Sequence, residues 1–195
     1  NMLHEKLKTA TSVHHDELER LMYVQQIMNK TLSLEQYKIL LATNYIIHST
    51  LESRLHEGLT DELTELLDIK NRNKLAALEN DLLEMSVDKN ELDAIVYDVN
   101  IEVNNTATSL GAMYVLEGAT LGGNVIRKKL RSTAAFENLN LHYYGVYAES
   151  LMPNWMSFLE VLNTAVPETE YRLAEKSAVD MFLHIAKVSK SVKTL

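Results

Sequence analysis

The stretch Gly111–Arg127, GAMYVLEGATLGGNVIR, decides the reading of this chain. It has the content of a helix: Met113, Leu116, Val125 and Ile126 are apolar and helix-compatible, and no proline is near. Yet it holds four of the six glycines in the sequence, Gly111, Gly118, Gly122 and Gly123. Each glycine inside a helix costs about 1 kcal/mol relative to alanine, so the cluster needs a reason. At 3.6 residues per turn, Gly111, Gly118 and Gly122 fall within about 40° of one another, forming one bare stripe. A bare stripe lets either a flat ligand or another backbone approach the helix axis. Spacing alone leaves both open.

Outward from that stretch the pattern is helical throughout. Only Pro153 and Pro167 interrupt 195 residues, and strand-like alternation is scarce. The expectation is an all-α bundle forming a single domain over residues 1–195. With 46% apolar and 24% charged residues, the chain can build an ordinary globular core. A net charge of −8 argues against nucleic acid, which calls for a basic face. With no cysteine there is no disulfide, thiolate metal site or cysteine nucleophile. No stretch reads as a signal peptide or a membrane span, so the expected location is the cytoplasm.

The first helix is expected over Leu3–Met22, with Leu3, Leu7, Ala10, His14, Leu18 and Leu21 on one face. His14 then sits within the apolar stripe. His15 lies about 100° round, on its shoulder, among Lys8, Thr11, Glu19 and Met22. Ser33-Leu34-Glu35-Gln36 is a capping box opening a helix to Glu57, stopped by Gly58. Shorter helices are expected at Asp61–Ile69 and Arg72–Met85, and one or two within Glu91–Val103. Asn104 or Asn105 caps the glycine helix, which runs on to Leu130 or Arg131. Ser132–Pro153 is irregular and aromatic, with His142, Tyr143, Tyr144 and Tyr147. Pro153 suits the first turn of a helix carrying Trp155 and Phe158. Pro167 opens the last helix, with Leu173, Phe182, Ile185 and Val188 directed to the core. His48 and His56, two turns apart, read as structural or surface residues.

The usual chemical signatures are missing: no His-Glu-x-x-His box, no phosphate-binding loop, no nucleophile elbow and no paired Glu-x-x-His motifs. What stands out is one shoulder histidine on the first helix and one glycine-stripped helix. A flat cofactor between them would use both, and a heme b fits, with a neutral imidazole at one axial position.

At this point the sequence resembles a heme oxygenase of the bacterial, biliverdin-producing kind, including those that supply bilin to bacterial phytochromes. Two segments carry the resemblance. Leu7–Glu19, LKTATSVHHDELE, is similar to the family's proximal helix, and Tyr114–Ile126, YVLEGATLGGNVI, to its distal helix. The resemblance implies a multi-helix bundle with heme sandwiched between those two helices. It implies His15 as the iron ligand, Glu19 as the acid that orients it, and Lys8 near the propionates. Gly118 and Gly122 pass over the distal face, with Gly123 beside them. Thr11 next to His15, and Tyr114 and Tyr144 as candidate anchors, complete the implied heme contacts.

Three departures stand out. Position 14, usually apolar in the family, is His14. Ala119 replaces the aspartate that mammalian members place beside the first glycine, so Glu117, Thr120 or Asn124 is left to hold distal water. The late propionate-binding arginine has no match near Asn154–Phe158. The implied reaction takes electrons from an external ferredoxin- or flavoprotein-type reductase and converts heme and dioxygen to biliverdin, carbon monoxide and ferrous iron. The alternative is a heme carrier of the same fold without turnover.

Overall fold

The computed structural model describes residues 2–195. Among these, nine α-helices follow one another without a strand: α1 (Leu3–Leu21), α2 (Val24–Met28), α3 (Leu34–Glu57), α4 (Asp61–Leu66), α5 (Leu75–Glu84), α6 (Lys89–Asp93), α7 (Thr106–Arg131), α8 (Leu151–Ala165) and α9 (Tyr171–Val192). The glycine helix is α7. The last helix, α9, packs along both α7 and α1 and also against α3, while α7 rests on α8 and α2. Leu110, Ala112, Ala174, Ala178 and Met181 are fully buried.

Both long inner helices begin with reciprocal caps, which hold two backbone donors that the helix leaves unpaired. For α3 the Gln36 amide donates to Ser33 Oγ at 3.0 Å, and the Ser33 amide to Gln36 Oε1 at 2.9 Å. For α7 the Thr108 amide donates to Asn105 Oδ1 at 2.9 Å, and the Asn105 amide to Thr108 Oγ1 at 3.3 Å. Gly58 ends α3, but with φ −73° rather than a left-handed turn. Its bareness serves a close approach instead: a Cβ there would lie 1.9 Å from Ser109 Oγ on α7.

The glycine stripe divides between two uses. Gly111 faces α9, where a Cβ would lie 2.3 Å from the Ala174 carbonyl oxygen. That is backbone-to-helix packing, and Ser177 of α9 donates to the Thr108 carbonyl one turn away. Gly111→Ala is therefore expected to lower stability by about 1–3 kcal/mol in urea unfolding, although alanine is the better helix former. Further along, α9 no longer covers the stripe.

Several expectations shift. In α1 the buried face runs Leu3, Leu7, Thr11, Leu21, and Ala10 is exposed. Helix α5 starts at Leu75, because Arg72 and Lys74 turn inward ahead of it. Of Glu91–Val103 only the first residues are helical, within α6, and residues 95–103 are irregular. After Pro167 one 3-10 turn, Glu168–Glu170, precedes α9, and Leu173 is 40% exposed while Ala174 takes the core position.

His184 is buried in α9 and its Nε2 has no partner. Burial first, then Lys187 and Arg54, holds its pKa below the usual 6.5. His48 and His56 are lowered too, burial again being foremost. The unfolded chain takes up these protons as pH falls through about 6.5, and the folded chain resists until lower pH. Stability is thus full above that value and declines below it. Urea midpoints at about pH 7.5 and about pH 5.5 should differ for the natural chain, and His184→Gln should narrow the difference.

Candidate functional site

Beyond Gly111, the stripe on α7 opens outward. A Cβ on Gly118 would meet only the Trp155 ring, at 3.7 Å, and one on Gly122 would meet nothing within 4 Å. Ala119 and Gly122 are exposed, and so is Val125 at 53%. These positions form a bare, apolar strip on a long helix. Three rings close its N-terminal end. Trp155 of α8 lies 6.1 Å from Tyr114 of α7 and 6.0 Å from His4 of α1, and His4 lies 5.9 Å from Tyr114. The His4 amide also donates to Asn163 Oδ1 of α8 at 3.0 Å. The start of α1 is thereby fixed beside the strip, and α2, which follows α1, packs on α7.

On α1, the His15 side chain is 57% exposed. Its Nδ1 lies 3.4 Å from Glu19 Oε1 and 3.7 Å from Asp16 Oδ1. A carboxylate on that side favours the tautomer with hydrogen on Nδ1, which leaves the Nε2 lone pair free to bind a metal. The Phe182 ring stands edge-on to the imidazole, centroids 6.1 Å apart, and limits how it can turn. His14 is half-buried. Lys8 is exposed on the same face as His15, two turns or about 10.5 Å back along α1.

Other expected contacts lie elsewhere. Thr11 is buried, and its hydroxyl donates to the Leu7 carbonyl at 2.7 Å, so it belongs to the core of α1. Gly123 and Tyr144 meet each other: a Cβ on Gly123 would lie 3.4 Å from both the ring and the carbonyl oxygen of Tyr144. Both are buried, away from the open strip, and we assign them to packing. Tyr114 stays at the strip's edge as part of the ring trio. Thr120, a candidate for holding water, donates to its own helix at the Glu117 carbonyl.

Glu117 is not free either. It is 2% exposed and sits in a charged cluster that the sequence does not announce. Arg72 Nη1 donates to Glu117 Oε1 at 2.6 Å, Lys74 Nζ donates to Oε2, and the Tyr147 hydroxyl donates to the same carboxylate at 2.8 Å. Burial pushes the Glu117 pKa up, but Lys74 and Arg72 outweigh it and hold the carboxyl below its usual range. The Lys74 amide reaches Glu52 at 2.9 Å, and Glu52 meets His48 Nδ1 at 2.8 Å. His48 and Glu117 help line a cavity of about 10 Å³, room for one water. A larger cleft of about 310 Å³, lined by Asn80, Arg127, Asn140 and His142 among others, shares no residue with the Gly118–Gly122 face.

Comparison with known proteins finds likeness along nearly the whole chain. The family model for heme oxygenase matches residues 1–190. Heme oxygenase PigA of Pseudomonas aeruginosa is 25% identical over 183 residues, 93% of this chain and 88% of that one. The NO- and CO-bound heme oxygenase of Neisseria meningitidis superposes with a TM-score of 0.78 at 18% identity, over 100% of this chain and 93% of that one. Heme oxygenase-1 from the cyanobacterium Synechocystis, solved with heme, gives 0.78 at 13% identity with the same coverage. A match across nearly the whole length, on an all-α fold with a bare outer strip on its glycine helix, establishes that the chain belongs to the heme oxygenase family.

Proposed function

We propose that this chain is a heme oxygenase that converts heme to biliverdin, carbon monoxide and ferrous iron, with His15 as the iron ligand. The observation that carries the reading is the open Gly118–Val125 strip, on which a Cβ at Gly122 would meet nothing. The residues fit a heme. An imidazole with one nitrogen turned to a carboxylate would supply a nitrogen donor to the iron, and a helix face bare at Gly118 and Gly122 would supply a surface on which a flat macrocycle can lie. When bound, heme supplies both the iron at which dioxygen is reduced and the ring that is cut.

The protein's own share is placement. Glu19 orients the His15 ring and strengthens its donation. Lys8, exposed on the same helix face, offers a cation to a propionate. Gly118 and Gly122 let the α7 backbone approach the macrocycle, and Ala119 and Val125 keep that face apolar. With Thr120 bonded to its own helix and Glu117 turned to the core, no strong acid or base points from this strip. The face therefore steers by shape rather than by proton donation. Electrons come from an external soluble donor, and the net charge of −8 suits a partner with a basic docking face. Biliverdin is then available to a bilin-binding partner such as a bacterial phytochrome.

Carbon monoxide release tests the reading. Heme-loaded protein supplied with a ferredoxin and its reductase should release carbon monoxide in step with heme loss and leave a bilin. Heme that stays bound and intact through the same treatment indicates the carrier.

A further inference from the structure

The Arg72 guanidinium holds three parts of the chain at once. Nε donates to the Leu67 carbonyl at 2.6 Å, Nη1 to Glu117 Oε1 at 2.6 Å, and both Nη1 and Nη2 to the Asn154 carbonyl at 3.2 and 3.1 Å. Leu67 follows α4, Glu117 lies in α7 and Asn154 in α8. Arg72 is 3% exposed, so these bonds form out of water, where the planar fork of arginine keeps its geometry. The next residues along the two helices are Gly118 and Trp155, and these meet each other, a Cβ on Gly118 lying 3.7 Å from the Trp155 ring. One buried side chain thus fixes the residue before the bare strip and the residue before the ring that borders it.

We infer that Arg72 is a positioning residue that sets the separation of the Gly118 backbone and the Trp155 ring, and through them the shape of the strip's closed end. The inference rests on the proposed function, since that end is where a bound macrocycle would abut. It explains why charges stand in a core position. A buried ion pair is a poor source of net stability, but its directional bonds specify one arrangement. Glu117 is doubly anchored, because Lys74 and Tyr147 hold the carboxylate when Arg72 is changed. The loss of Arg72 therefore frees mainly the Asn154 side of the clamp.

Trp155 is the only tryptophan, so its fluorescence reads the clamp in heme-free protein. The experiment compares the natural chain, Arg72→Gln and the milder Arg72→Lys, whose single ammonium cannot form the fork. Both variants should keep the helical circular dichroism but show greater acrylamide quenching and an emission shift at Trp155. With heme they should keep a histidine-ligated spectrum, while turnover falls about 10- to 100-fold and the mixture of biliverdin isomers broadens. If Arg72→Gln does not fold, Arg72→Lys decides. Unchanged Trp155 quenching in a folded variant overturns the clamp whatever heme does. If the natural chain does not degrade heme, the proposed function fails, and the fluorescence still decides the clamp.

Discussion

Gly122→Leu is expected to end heme turnover while leaving the heme-free protein as stable as before or more so. The two halves of that result have separate causes. In the folded chain position 122 is exposed and a Cβ there meets nothing within 4 Å, so the new side chain starts in open space. The helix itself gains, because leucine is a better helix former than glycine by roughly 0.8 kcal/mol, which corresponds to a rise in Tm of about 2–3 °C for a chain of this size. The same leucine occupies the space that the bare strip leaves for a macrocycle and its bound oxygen. Heme binding weakens or tilts, and bilin formation drops to background. The contrast with Gly111→Ala, where the smallest added group collides with α9, separates a glycine kept for packing from one kept for a ligand. Bilin formation by Gly122→Leu at the natural rate would overturn the assignment of this strip.

The second large effect is at His15. His15→Ala removes the one imidazole held beside Glu19, so the heme-loaded variant should lose its histidine-ligated spectrum and its turnover. His14→Ala should keep both, because His14 is half-buried on the other side of the shoulder. Glu19→Gln should fall between them. It keeps a hydrogen-bond acceptor beside Nδ1 but removes the charge, a change that typically costs about 10- to 100-fold at an outer partner of a metal-binding histidine. The order His14→Ala, Glu19→Gln, His15→Ala in increasing damage is the signature. Turnover that survives in His15→Ala and fails in His14→Ala means that iron is bound by the neighbouring histidine.

The fold was legible because its signals are local. One capping box at Ser33–Gln36, a capping asparagine before the glycine helix, a long apolar periodicity and two well-placed prolines mark where the long helices start and stop. The glycine helix was also legible, but its division was not. Gly111, Gly118 and Gly122 share one wheel angle, and only the path of α9 decides that the first is covered and the last is open. In α1, Thr11 replaced Ala10 at the buried position because a threonine hydroxyl can bond back to its own helix and so enter the core with its hydrogen bond made. The Arg72–Lys74–Glu117 cluster was missed for a similar reason, since charged residues read as surface until the element opposite them is known. One sign was present. Glu117 shares a helix face with Leu110 and Met113, both buried, and an acid on such a face requires a cation from elsewhere. Which cation it takes depends on how the segment before α5 folds back over α7, and the sequence places Arg72 and Lys74 inside a helix that in the structure starts only at Leu75.

Heme turnover by this chain is tested by an anaerobic heme titration of the purified protein followed by reductant and air, watched by absorption. A sharp Soret band should saturate at one heme per chain and then give way to a broad bilin band once oxygen enters. A Soret band that survives reductant and air would leave a heme carrier and contradict the proposed reaction. Absence of a saturating, histidine-ligated band would contradict the heme site itself and return the open strip on α7 to a surface without a ligand.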